Sequence, residues 1–357
     1  MNLNLFQFRQ NKLEQNYSFV QKTSPLRRSL RQEINIFLII ILVILLVLPC
    51  ISLFWKNSDL QILKDYDLDK NIVSFLKRND YVQKSLIGKN QKIKELLDNY
   101  DAQYFISENL SSQVINFRFA DLLKSLNLRY PMLGTDASGN DVLVDSLHKI
   151  FYSLFLCLTL FIFEMCLGLI VGSYTALKQN VWTKTLNEIQ KIMISVPDIL
   201  IIIIGWIFNL IQGNSLSSGL AIIYCLIFFT GTMRAMYWAR ELSVDVLKKD
   251  FIIALKVNDI SNLRLIFIHL IPAILAEILI LFARRVGYII FLIGTISFLG
   301  LNIENSIAQS IKDNWKWWRL NPMQIFFPVV YLFVFLITWQ MFIISFSIAI
   351  NPIQEKK

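Results

Sequence analysis

The chain alternates long apolar runs with charged segments. Ile34 to Trp55 is 22 residues without a charge, and roughly 20 apolar residues suffice for a helix to cross a bilayer. Ile150 to Leu177 is a second such run, broken only by Glu164. From Ile199 to Met233 there is no charge for 35 residues. As one helix that stretch would be about 52 Å long, too long for a single crossing. The turn-rich Gln212-Gly-Asn-Ser-Leu-Ser-Ser-Gly219 divides it into spans over about 191–211 and 219–239, and Pro197-Asp198 marks a kinked or functional entrance to the first of them. A fifth span runs from about 271 to 299, and a sixth lies within the uncharged run from Leu320 to Gln354. The pattern predicts an all-α polytopic membrane protein with six transmembrane helices.

Composition agrees: 55% of the 357 residues are hydrophobic and 17% charged, outside the range of soluble domains. The net charge of +9 points to topology, not to nucleic acid, because it collects between the apolar runs. Residues 1–33, the 178–191 loop, residues 234–268 and the tail carry 17 basic and 8 acidic side chains; residues 56–149 balance at 13 of each. The positive-inside rule therefore places both termini and the 240–270 loop in the cytoplasm of a multi-pass cell-membrane protein. A cleaved signal peptide would have a shorter apolar core, so residues 34–55 are read as a retained first span after a cytoplasmic segment, 1–33. The polar region 56–149 reads as an extracytoplasmic insertion with helical pieces such as 90–98. Trp315, Trp317 and Trp318 form an interfacial aromatic belt. Cys50, Cys157, Cys166 and Cys225 all fall in apolar runs without CxxC spacing, as expected of buried thiols.

The chemistry candidates lie in two places. Between the fourth and fifth spans, Phe251, Ala254, Leu255 and Asn258 share one face of a short helix, with Lys248, Lys249 and Lys256 around it. Asn258-Asp-Ile-Ser261 breaks that helix, and Ser261 or Asn262 caps a second one leading to Pro272. Such a loop is either a plain amphipathic connector or a docking element for a soluble partner. Within the fifth span stand Glu277, Arg284 and Arg285. Charges at this depth face a protein interior or a water-filled path. One arginine is a candidate to line a translocation path and meet carboxylates; the alternative is a structural ion pair with Glu277 or Glu164. Adjacent helix positions point about 100° apart, so at most one faces a pore. His148, at a span entrance, reads as a polar interface residue.

The loop resembles the cytoplasmic "EAA" loop of bacterial ABC importer membrane subunits. Its peptide-permease form reads roughly E-Y-V-x-A-A-x-x-x-G-A-S-x-x-x-I-x-x-x-H-I-L-P. Asp250 takes the Glu position, Phe251 the Tyr, Ala254 and Leu255 the two Ala, Ser261 the Ser, and His269-Leu-Ile-Pro272 the final H-I-L-P. Without a gap the register reaches Ser297-Phe-Leu-Gly-Leu301, similar to the family's S-F-L-G-L. Leu133-Gly-Thr-Asp136 with Gly139, Asp141, Val142 and Leu143 resembles its L-G-T-D-x-x-G-R-D-V-L, where Gly134 and Gly139 permit turns and Thr135, Asp136 or Asp141 caps the next helix. Pro197 falls in its A-L-P-x-L-L, and Asn351-Pro352 at its closing D-P. The marks cover roughly residues 130–352. Asp259 stands where the family has glycine, Asn140 where it has Arg, Ile293 where it has Glu, and Arg284-Arg285 where it is small or apolar.

The resemblance implies a type I ABC permease fold of the oligopeptide/dipeptide C-type. Residues 150–352 form its core, and residues 240–270 hold an ATPase-coupling loop carrying Asp250, Phe251, Ala254, Leu255, Asp259, Ser261, His269 and Pro272. It implies a non-catalytic subunit with no bound cofactor. The sequence holds no G-x-x-x-x-G-K-[ST], so ATP and Mg would bind on two partner ATPase subunits. A homologous permease subunit, an extracytoplasmic substrate-binding protein and membrane lipid complete the expected partners. A permease for nickel or another small solute on the same frame is one alternative. A membrane scaffold or sensor that binds through 56–149 is another.

Overall fold

In the computed structural model, the described residues are 33–55, 81–85, 91–99, 102–109, 112–126, 131–135, 140–178, 180–212, 216–300, 303, 305–319 and 321–350. The basic N-terminal segment, Asp136, Gly139, Leu301, Asn351-Pro352 and the tail lie outside them.

Two long helices form the centre. Helix α4 (Val142–Leu177) and helix α7 (Leu216–Leu247) meet along a stripe of small residues. A Cβ at Gly168 would overlap Ala235, one at Gly172 would overlap Met236 and Ala239, and one at Gly231 would overlap the Glu164 carboxylate. Residues 164, 168 and 172 thus face 231, 235 and 239 in the same direction, so α4 and α7 run parallel. Small residues four apart let helix backbones approach closely, which is how helices associate in lipid. Ser173 and Ser243 extend the seam with a 3.1 Å hydrogen bond.

Parallel neighbours require the chain between them to cross the membrane. Helices α5 (Val181–Ser195) and α6 (Asp198–Ile211) make that crossing, bent by 92° at Val196-Pro197. This corrects the single span expected over about 191–211: Pro197 offers no backbone N–H and its ring excludes a continued helix. It also decides between five and six crossings in favour of six.

The other spans are α1 (Glu33–Ser52), the continuous run Asn262–Phe298 and α13 (Met323–Ile350). The fifth span begins with α9 (Asn262–Arg264) and a π-helical stretch (Leu265–Leu270). It continues as α10 (Ile271–Phe282) and, after a break at Ala283-Arg284, as α11 (Arg285–Phe298). The second span starts earlier than expected, at Val142, and at about 1.5 Å per residue its 36 residues outreach a bilayer core.

Between the first two spans, Gln91–Asn99 (α2) is helical as read. The strands were not anticipated. β1 (Tyr81–Ser85), β2 (Tyr104–Asn109) and β3 (Ser112–Arg118) form an antiparallel sheet in the order β1-β3-β2. Ile93, Leu97, Ile115, Phe117, Leu122 and Leu123 are buried on or beside it, the last two from α3 (Phe119–Ser125).

The approach to α4 follows its turn chemistry. Gly134 adopts φ 79°, the left-handed region that suits glycine, and Asp141 caps α4 by accepting from the Leu143 N–H at 2.9 Å. Asn321 and Gln324, at the start of α13, donate to the Thr135 carbonyl. His148 is the interface residue expected: its Nε2 meets the Ser52 carbonyl at 2.5 Å, joining α1 to α4. Of the cysteines only Cys157 is buried; Cys50, Cys166 and Cys225 lie on the outer faces of their helices, where in lipid an apolar thiol needs no protein cover. Trp315, Trp317 and Trp318 are exposed around a short 3-10 turn that follows α12 (Ile307–Asn314), as suits an interfacial belt.

Candidate functional site: a buried charge cluster and a cytoplasmic loop

Four charges from four helices converge near the middle of the bundle. Arg285 leads α11 and grips Glu164 of α4 with two parallel bonds, Nε to Oε2 at 2.8 Å and Nη2 to Oε1 at 3.0 Å. Its Nη1 reaches Asp198 Oδ2 at 3.0 Å, and Nη2 also donates to the Ile227 carbonyl at 2.9 Å. Arg234 of α7 donates to the other Asp198 oxygen at 2.6 Å. Glu164 and Asp198 are fully buried, and the Arg285 side chain is 5% exposed. The cluster is neutral, as charges withdrawn from water must be, and the bidentate fork is the strongest geometry open to an arginine–carboxylate pair. Tyr288 lies against both guanidiniums, 5.4 Å from Arg285 and 5.9 Å from Arg234.

Local sequence explains each position. The bend at Pro197 starts α6 at Asp198 and turns its carboxylate inward, at a helix N-terminus that favours an acid. Gly231 leaves the room that Glu164 occupies. The break at Ala283-Arg284 frees a carbonyl, which accepts from Trp339 Nε1 at 3.1 Å.

The sequence reading placed Arg285 either on a path or in an ion pair with Glu277 or Glu164. The structure assigns it to Glu164 and adds Asp198 and Arg234, which the reading missed. Their signal was present: they bracket the 35-residue uncharged run, so each is a charge at a span that needs a partner. Glu277 is exposed and in ion-pair contact with no described residue; Arg284 is exposed as well. Arg284 lines an open cleft of about 260 Å³ with Arg234, Trp238, Leu281 and Tyr288.

The loop folds as a helix and a turn. Helix α8 (Asp250–Val257) begins with its own acid, Asp250, and buries Ile252 completely. Leu255, half-buried, packs against the same core, which separates it from Phe251, Ala254 and Asn258, expected on the same face and all exposed. Phe251, Ile253, Ala254 and Val257 remain exposed. Asp259 takes φ 49°, so it makes the left-handed turn in place of the expected glycine, a geometry Asp tolerates. Ser261 occupies the position before α9 but makes no side-chain cap bond; α9 is one turn that runs directly into the π-helical stretch, and His269, half-buried, lies in that stretch. Pro272 falls just after the π-helical stretch, inside the continuous run, where its missing N–H removes one helical bond next to the locally widened turn.

No family model matches the chain. Among proteins of known role it is similar to the oligopeptide transport system permease protein OppC of Bacillus subtilis, at 23% identity over 202 residues, which is 56% of this chain and 64% of OppC. The nickel transport system permease protein NikC of Escherichia coli is 22% identical over 205 residues, 57% of this chain and 72% of NikC. The dipeptide transport system permease protein DppC of Alkalihalophilus pseudofirmus is 29% identical over 206 residues, 55% and 63% of the two chains. The chain thus spans a little under two thirds of the length of OppC, as of DppC. With its bundle of apolar spans, the chain is a homologue of the membrane permease subunits of ABC peptide and nickel importers, at low identity over about half its length.

Proposed function

We propose that this chain is the non-catalytic, membrane-spanning permease subunit of an ATP-driven importer whose cargo is oligopeptides or dipeptides. The observation that carries the reading is α8. It is an ordered helix anchored by Ile252 and Leu255, with Phe251, Ala254 and Val257 facing outward and no described part of this chain over them. A connector that served only this chain would turn its apolar residues inward. The peptide permeases among the relatives support the cargo.

In this reading both termini and the 240–270 loop are cytoplasmic, residues 56–149 form an extracytoplasmic insertion, and residues 150–352 are the permease core. A homologous permease subunit completes the pore, and a substrate-binding protein docks outside. Each of two ATPase subunits, which carry ATP and Mg, holds one coupling helix, with Phe251 as its anchor here. Closure of the ATPases moves α8 as a lever and shifts the pore between inward- and outward-open states. Asp259 supplies the turn, and His269 and Pro272 join the lever to α10.

The nickel permease among the relatives keeps a second cargo in view. One experiment separates the readings: a strain lacking the chain is complemented with it, and uptake of labelled peptide and labelled nickel is measured alongside co-purification of ATPase subunits. Peptide uptake with ATPase capture supports the proposal. Nickel uptake alone replaces the cargo, and an absence of ATPase capture with no uptake removes the transport reading.

A further inference from the structure

Arg285 uses four of its N–H groups on Glu164, Asp198 and Ile227, and with Arg234 it balances the two buried carboxylates. Arg284 is therefore a surplus positive charge beside a neutral cluster. No described residue pairs with it. Glu277 shares its exposed stripe but stands seven positions back, about 10 Å along the axis. Arg234 lines the same cleft, but its guanidinium is committed to Asp198. Trp238 and Tyr288 wall the same cleft. An unpaired arginine at membrane depth is costly to keep, and this one sits where a carboxylate could take a forked bond from it.

Resting on the importer reading, we propose that Arg284 is a binding group for the C-terminal carboxylate of the peptide passing through the pore, with Trp238 and Tyr288 flanking the terminal residue. The same surplus charge repels a free divalent cation, so the cleft favours carboxylate-bearing cargo.

The test uses the complemented strain and one labelled tripeptide in two forms, free acid and C-terminal amide. The wild-type chain is expected to import the acid roughly ten- to a hundredfold faster, the factor for one charge-assisted hydrogen bond. Arg284→Gln collapses that ratio toward one, Arg284→Lys keeps part of it, and Arg284→Glu inverts it. If Arg284→Gln lowers acid and amide uptake by the same factor, the residue pairs with a neighbouring subunit or a lipid phosphate and the proposal is overturned. It is overturned too if the ratio is unchanged. In both cases the peptide-importer reading stands, because peptide is still imported by the wild type. If the wild type imports neither form, the importer reading fails and takes this one with it.

Discussion

Gly231→Ala tests the charge cluster with a single methyl group. In a helix interior this change ordinarily stabilises by about 1 kcal/mol, because alanine loses less backbone freedom than glycine. Here the new Cβ would stand well inside 3.0 Å of the Cδ and both oxygens of Glu164. Separating α4 and α7 to make room would forfeit the close packing of Gly168 and Gly172 against Ala235 and Ala239. The carboxylate must move, and the fork to Arg285 opens. Breaking a buried pair costs about 3–5 kcal/mol, so the net effect is a loss of roughly 2–4 kcal/mol against the propensity gain. The assay is the midpoint of thermal unfolding in detergent, followed by the loss of the monodisperse peak on size exclusion. Gly287→Ala is the control, since a Cβ there meets only Leu336 side-chain atoms at 3.4 Å or beyond; its midpoint should hold or rise. Because the two changes act on one contact, Gly231→Ala and Glu164→Gln should also be non-additive. A Gly231→Ala protein as stable as the Gly287→Ala protein would refute the claim that Glu164 is locked against α7.

Arg285→Met should lower the same midpoint more than Arg234→Met, because it strands Glu164 and takes one of Asp198's two arginine partners, whereas Arg234→Met takes only the other. Phe251→Ala should leave the protein inserted and stable while abolishing most uptake with ATP hydrolysis still running; wild-type uptake would end the lever idea. Asp259→Val should cost about 1–2 kcal/mol at the left-handed turn, seen as faster protease cleavage at the loop, whereas Asp259→Gly should protect it as well as the native residue does.

Apolar run length made five of the six spans readable, since membrane spans depend on little else. The sixth was readable as an uncharged stretch with a kink at Pro197-Asp198, where the bend is found. The size of the bend depends on where Asp198 must go, and that is a tertiary fact. The sheet in the 56–149 region was not legible for a different reason. Tyr104–Asn109 and Ser112–Arg118 mix polar and apolar residues without clean alternation, and their order comes from pairing with each other and with Tyr81–Ser85. In the loop, the motif register located the turn at Asp259. It could not say that Leu255 points inward, because a helix of eight residues is placed by what lies beneath it. Arg285 was legible as a membrane charge with Glu164 among its candidate partners; Arg284 and Arg285 could not be told apart until α11 fixed which of them faced the cluster.

The cluster bears on how the fold is reached as well as how it is held. Glu164, Asp198, Arg234 and Arg285 belong to four helical segments, so each segment entering the bilayer alone would carry a charge costing about 2.5–3.5 kcal/mol at its centre. Together they cost far less, because every charge is met by an opposite one within 3.0 Å. Small-residue stripes can bring α4 and α7 together by packing alone, but packing does not prescribe where α6 and α11 must end up. The charges do: α6 has to turn at Pro197 to deliver Asp198, and α11 has to begin at Arg285. Apolar length sets the number of crossings, and the four-charge pairing selects their arrangement. A substitution that neutralises one member, such as Glu164→Gln, should therefore weaken the association of all four segments rather than one helix.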